Sequence, residues 1–319
     1  QRMMGLRADM TPQVARLAAT RLQGAPRPLR LMYNGEVLRV KGGHLRPNRQ
    51  FRAVGVELIG SAKTAKADSE VIVIAAESMN LIGVNELSVD LNVPSMAGII
   101  CDEYHVSQKE RAELLDALNR KDVSSIEKSA SNVASYLLGL LEASGSALEG
   151  LVKLEQLDLP GEAAGLACRL KEVVGLVLEE APDLKVTIDA ADSRGFEYHT
   201  GVSFSFFSRD SRAELGAGGR YLLGGSEPAT GFTLFTDVIM AVAQLRTHGE
   251  RIFLPVGTNR NIMRKLQEEG WLTVNGLVAE EDLESEATRL HCKYVWLEGR
   301  LQKLKDELIS NETSNCSKQ

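Results

Sequence analysis

Cysteine is scarce and scattered in this sequence: Cys101, Cys168, Cys292 and Cys316 are the only four, and no two form a C-x-x-C pair. A structural zinc or iron–sulfur centre needs clustered thiolate or imidazole ligands, so neither is expected, and no other cofactor is signalled. Isolated thiols of this kind fit a reducing compartment. No apolar run approaches the roughly 20 residues that span a bilayer. The opening QRMMGLRADM has no basic segment followed by an apolar one, so no secretory leader is expected and a cytoplasmic location is. A basic excess is missing too: 37 Lys and Arg stand against 43 Asp and Glu, a net charge of −6. Surfaces that read phosphate backbones carry a positive field, which argues against a nucleic-acid partner. Finally, no serine or cysteine is set beside a histidine in a nucleophile-and-base context, so covalent catalysis finds no support.

What is present is ordinary globular sequence, 319 residues with 44% hydrophobic and 25% charged, long enough for two domains. Thr11-Pro12 reads as an N-cap with proline in the first turn. Val14, Leu17, Ala18 and Leu22 then repeat at helical spacing up to the Gly24–Pro28 breaker. PLRLMYNGEVLRV and QFRAVGVELIG read as two strands joined by the basic loop GGHLRPNR. A helix over about 67–82 has Val71, Ile72, Ile74, Ala75 and Met79 on its apolar face, and residues 87–94 alternate as a strand. From about 97 to 181 the pattern is helical. Ser107 with Glu110 and Ser124 with Glu127 form two capping boxes, and Pro160 opens a further helix.

LKVTIDA and VSFSFFS return to strand character, and FTLFTDVIMAVAQL reads as a strand end entering a helix. Strand and helix then alternate from RIFLPV to KYVWLEG, the pattern of a small parallel α/β unit. The expected architecture is therefore α+β. Residues 1–245 make a mixed domain with the helical insertion, residues 250–300 a small α/β domain, and the polar 305–319 a tail without regular structure.

Five segments place charge or glycine where a core has no use for them. Asp9 and Thr11 open the first helix, where capping of orphan N–H groups competes with ligand binding as the explanation. Arg39 and Glu57 interrupt the two apolar strands. They point either to solvent or into a pocket, where an arginine grips a carboxylate and a glutamate faces an ammonium or imidazolium. Arg194-Gly195-Phe196-Glu197-Tyr198-His199-Thr200-Gly201 is a turn whose glycines suit any tight bend. Its Arg, Glu, Tyr and His do not follow from the bend. Gly216-Ala217-Gly218-Gly219-Arg220-Tyr221 reads as a glycine-rich loop, and it lacks the spacing of a nucleotide cradle.

Taken in order, these segments resemble the catalytic core of histidyl-tRNA synthetase, a class II synthetase. RADMT resembles its amino-acid-gripping segment. LMYNGEVLRV with RPNRQFRAVGVELIG resembles its motif 2, and RGFEYHTGVSF its histidine-specific motif. GAGGRY with ATGFTLFTDVIMA resembles its glycine-arginine segment and motif 3. The match runs from Met4 to about Leu245. The resemblance implies a class II antiparallel sheet with flanking helices. It also implies a histidine pocket of Asp9, Thr11, Arg39, Glu57, Arg194, Tyr198 and His199.

The departures matter as much as the matches. Lys41 stands where motif 2 has an acid for the adenine, and Val238 where motif 3 has an arginine for the phosphates. Ala53 replaces a glutamine, and His199 replaces a tyrosine. Activating an amino acid on ATP requires charge stabilisation around the phosphates, so the departures imply that this activity is lost.

The sequence is most similar to a paralogous family that has made this exchange, the regulatory subunits of ATP phosphoribosyltransferase. That resemblance implies a non-catalytic role in histidine biosynthesis. It implies a hetero-oligomer with the short-form catalytic subunit, activation of that subunit, and allosteric feedback inhibition with histidine as effector. A divergent histidyl-tRNA synthetase and a stand-alone histidine-binding scaffold are the alternatives. The synthetase motif 1, the dimer-building segment, would precede Gln1, so self-association is expected of a longer chain.

Overall fold

Pro12 has its ring-fixed φ where a helix begins, and α1 (Thr11–Ala19) starts there. It buries Val14, Ala15 and Ala18, whereas Leu17, expected on the same face, is exposed. The helix stops at Ala19 and does not continue to the Gly24–Pro28 stretch. The structure, a computed structural model, describes residues 5–40, 48–129, 132–193, 198–244 and 249–304. The chain falls into two compact units, Gln1–Gln244 and Leu245–Gln319.

The first unit is built on a large sheet. β1 (Leu29–Leu38) and β2 (Gln50–Ile59) pair antiparallel, with Leu31 opposite Glu57 and Val37 opposite Phe51. α2 (Thr64–Leu81) begins three residues earlier than the apolar period suggests. It buries Val71, Ile72, Ala75 and Met79, and Ile74 is half-buried. Each fully buried Val, Ile or Met among them contributes roughly 1.5–3 kcal/mol. β3 (Leu87–Asn92) follows, and its strict alternation of buried and half-buried residues is that of a covered strand.

The helical insertion comprises α3 (Met96–Glu103), α4 (Gln108–Asn119), α5 (Val123–Glu127), α6 (Ala134–Glu142), the two-residue strand β4 (Gly145–Ser146), α7 (Ala147–Gln156) and α8 (Gly161–Glu180). Ser107 caps α4 by accepting from the Glu110 N–H at 3.3 Å. The second expected cap is displaced: Asp122, not Ser124, caps α5, accepting from the Ser125 N–H at 3.1 Å. A carboxylate two residues earlier, at the residue that precedes the helix, takes the orphan donor instead of the hydroxyl. The main core lies between this layer and the sheet, joining Ile72 and Met79 of α2, Val89 and Leu91 of β3, and Leu170, Val173 and Val177 of α8.

The sheet is completed by β5 (Lys185–Ile188), β6 (Ser203–Ser208), β7 (Gly216–Leu223) and β8 (Glu227–Phe235), after which α9 (Thr236–Val242) leads out. Its strand order is β1-β2-β8-β7-β6-β3-β5-β4, antiparallel throughout except for the β3–β5 pair. The segment GAGGRY, read from sequence as a loop, is strand β7. Gly216 and Gly218 lie on one face of this central strand and Gly219 on the other, rather than together at a turn.

The second unit is a four-stranded sheet. β9 (Arg251–Leu254), α10 (Arg260–Glu268), β10 (Leu272–Asn275), α11 (Leu283–Arg289) and β11 (Tyr294–Leu297) follow the alternation read from the sequence, with β9 parallel to both β10 and β11. A further strand, β12 (Arg300–Lys303), pairs antiparallel with β11. It escapes pattern reading because all four of its residues are exposed. Phe253, Ala287 and Val295 are buried between sheet and helices. The tail at 305–319 lies outside the described residues.

Candidate functional site

Phe51, Ala53, Gly55 and Glu57 alternate along one face of β2. Tyr33 and Val37 of β1, Gly219 and Tyr221 of β7 and Gly231 and Thr233 of β8 share that face. All of these except Tyr33 and Gly55 line a cavity of about 230 Å³. That is below the roughly 300–1,000 Å³ of a site for drug-sized ligands, a size that suits a single small metabolite. Of the residues picked from the sequence, Asp9, Thr11, Arg39, Glu57, Tyr198 and His199 all line it. Arg194 lies outside the described residues, as does Lys41.

Glu57 is the chemical centre of the cavity. It is 1% exposed. Its Oε1 accepts from the Thr11 hydroxyl at 2.7 Å, and its Oε2 accepts from the Tyr221 hydroxyl at 2.9 Å. Among the described residues no Lys, Arg or His forms an ion pair with it. Burial pushes its carboxyl up to about 7; the two hydroxyl donors oppose that shift, and the nearby charge of Asp9 adds to it. The competition between the capping and binding readings of the first helix resolves residue by residue. Asp9 Oδ1 accepts from the Thr11 N–H at 3.2 Å and so serves the helix start. The Thr11 hydroxyl leaves the helix and serves Glu57.

Aromatic hydroxyls surround this carboxylate. Tyr198 stacks on Tyr221 with ring centroids 5.3 Å apart, and His199 meets Tyr198 edge-on at 5.0 Å. Burial, then the charge of Glu57, push the phenols of Tyr198 and Tyr221 upward. The same two causes push Tyr33 up to about 12. All three therefore remain hydrogen-bond donors. Burial lowers the basicity of His199, and its Nδ1 is buried without a hydrogen-bond partner among the described residues.

Two glycines make the depth of the cavity. A Cβ on Gly231 would lie 2.2 Å from Glu57 Oε2, and one on Gly219 would lie 2.8 Å from His199 Nδ1. Gly219 also holds φ at +156°, which an L side chain rarely adopts.

Arg39 occupies a different place from the one read for it. It follows β1 rather than lying in it, and its guanidinium sits over the Phe51 ring at 5.2 Å. Phe51 packs edge-on against Phe235 at 5.5 Å. Along β2, Phe51 and Glu57 are six residues apart, roughly 20 Å at strand rise. Arg39 and Glu57 thus mark opposite ends of the cavity floor. Val238 of α9 packs among apolar residues, against both the main core and the Met10–Val14–Phe235 cluster.

Sequence reading overlooked Tyr221, the second donor to Glu57. Its signal was available: in a strand, Tyr221 shares a face with Gly219, whereas the loop reading gave it no direction. It also overlooked Asp68, buried against Arg220, because a lone acid in a helix commonly faces water.

Comparison with known proteins places this arrangement. A family model described as histidyl-tRNA synthetase matches residues 1–239. The ATP phosphoribosyltransferase regulatory subunit of Rhodospirillum centenum is 45% identical over 307 residues, covering 96% of this chain and 79% of that protein. Among solved structures, an ATP phosphoribosyltransferase regulatory subunit/histidyl-tRNA synthetase from Bacillus halodurans superposes with a TM-score of 0.67 at 23% identity, over 88% of this chain and 77% of that one. A chain of the ATP phosphoribosyl transferase complex from Thermotoga maritima does so with a TM-score of 0.58 at 20% identity, over 72% of this chain and 81% of that one. On this similarity over nearly the whole chain, and with its class II synthetase sheet, the chain belongs to the ATP phosphoribosyltransferase regulatory subunit family.

Proposed function

We propose that this chain is the non-catalytic regulatory subunit of an ATP phosphoribosyltransferase, that it activates the short-form catalytic subunit in a hetero-oligomer, and that histidine bound in the Glu57 cavity inhibits the complex. The observation that carries this reading is Glu57 itself: a buried carboxylate held by two hydroxyls and by no described cation. An unpaired buried charge is costly, and a cationic ligand group relieves that cost. An imidazolium is the right size and charge. Thr11, Tyr198, Tyr221 and His199 then form a polar aromatic box around the ring. Arg194, whose place falls outside the described residues, is the candidate for the ligand carboxylate, because Arg39 stands at the far end.

Several features favour a sensor over a ligase. Val238 stands in an apolar cluster, where the resembling motif has an arginine for the nucleotide phosphates. The Phe51 ring is covered by Arg39 on one side and by Phe235 at its edge, so a stacking base would have to displace the guanidinium. The named complex from Thermotoga maritima supports the choice of partner. Among the described residues no helix is long and apolar enough to cross a membrane. Cytoplasmic residence and self-association belong to the same proposal.

The decisive experiment mixes this chain with the short catalytic subunit and titrates the phosphoribosyltransferase activity with histidine. Copurification, stimulated turnover and saturable inhibition are expected, along with no turnover by this chain alone. Glu57→Ala should raise the histidine concentration for half-inhibition at least about tenfold, the loss of one charge-assisted contact. An unchanged histidine response in that variant, or histidine-dependent ATP–pyrophosphate exchange by the chain alone, overturns the reading.

A further inference from the structure

Glu57 carries an implication beyond its place in the box. The groups facing it come from every element of the cavity. Asp9 and Thr11 stand at the start of α1, Tyr33 on β1, Tyr221 on β7, and Tyr198 and His199 on the segment before β6. β8 presents only glycine at that point, Gly231. The buried ion pair Arg220–Asp68 lies on the other face of the sheet and is already closed on itself. Every facing group is therefore a neutral hydroxyl, an acid, or an imidazole whose burial disfavours its charge. The cavity supplies no positive partner at this end among the described residues, so none of them competes there with a cation carried on the ligand.

We infer that Glu57 selects its ligand by protonation state, so that histidine enters the cavity as imidazolium and its binding takes up a proton from solvent. The inference rests on the histidine reading above and specifies its chemistry. The balance is simple. A neutral imidazole and an ionised Glu57, the majority forms above neutrality, combine with one solvent proton. The product is a hydrogen-bonded carboxylate–imidazolium pair, and no bond other than those to the proton changes. Near pH 6.5–7 the free partners already carry about one proton between them, given an imidazole near 6.5 and Glu57 near 7, so net uptake vanishes there. Above that range affinity must fall as protons become scarce. Below it both partners are protonated, one proton must leave, and affinity falls again. Feedback by histidine would thus weaken as the cytoplasm becomes alkaline.

The test uses the complete complex with its catalytic subunit and free histidine in a calorimeter. At pH 8, titrations in two buffers of different ionisation enthalpy should give an uptake of about 0.9 proton per histidine, and Kd should weaken about tenfold between pH 7 and 8.5. Because Glu57→Gln is at risk of losing binding altogether, a second measurement leaves the chain intact. A histidine analogue with a weakly basic triazole in place of imidazole matches the ring in size but stays neutral at pH 7, and it should bind at least about tenfold more weakly. Saturable histidine binding with a flat Kd and no proton uptake, or equal affinity for the triazole, overturns proton-coupled selection and leaves the histidine reading standing. Absence of saturable histidine binding at any pH overturns the histidine reading, and the inference falls with it.

Discussion

Two carboxylates lie buried against the same sheet, one on each face, and they have opposite fates. Asp68 of α2 meets Arg220 of β7 through two hydrogen bonds of 2.7 and 3.0 Å, and Arg220 also donates to the Thr64 carbonyl at 2.8 Å. Both side chains are at most 5% exposed. Alternation along β7 sends Arg220 to the helix side and its neighbours Gly219 and Tyr221 to the cavity side. Glu57, across the sheet, has hydroxyls and no described cation. A buried acid with a matching base is complete and holds the fold. A buried acid left, among the described residues, with hydroxyls alone keeps the cost of its burial, which shows in a carboxyl pushed up to about 7.

That contrast can be broken from the Asp68 side first. Asp68→Ala leaves Arg220 charged and buried, and should cost about 3–5 kcal/mol in urea unfolding. A loss below 1 kcal/mol would show that the pair is dispensable and the contrast empty. The next effect is carried by Glu57 through pH. Its folded carboxyl is raised from 4.5 to about 7, so the folded state binds the proton more tightly than the unfolded chain. The ligand-free chain should accordingly be unpenalised below about pH 4.5 and lose up to about 3 kcal/mol as pH rises to 7 and above. The difference between the pH–stability profiles of the native chain and Glu57→Gln isolates this contribution, and superimposable profiles would refute it. Smallest is Thr11→Val, which keeps the shape and removes the hydroxyl that donates to Glu57 Oε1. A loss of about 1 kcal/mol at pH 8, shrinking at pH 5 where the carboxyl is neutral, is expected from thermal unfolding.

Much of this was legible before any coordinates. Helical spacing pointed to α2, strict alternation to β3, and the order of the motif-like segments to the class II fold and to Glu57 as a pocket residue. What stayed hidden shares a physical cause. Direction within a strand depends on register, so GAGGRY read as a loop conceals both Tyr221 and Arg220. Pairing across 152 residues, as between Asp68 and Arg220, leaves no local trace. Arg39 shows the same dependence on register: it lines the cavity with Glu57 but stands just past the end of β1, over the Phe51 ring, which spacing alone does not reveal.

The bare stretch of β-sheet beneath Glu57 bears on how the shape of this cavity can change. At Gly219 and Gly231 the container wall is main chain, and any side chain placed there would collide with His199 or with Glu57 itself. The depth of the cavity therefore depends on two positions that admit no side chain, while Ala53, Tyr198 and His199 form its sides. A change in what the hollow admits would come from its sides and not from its floor.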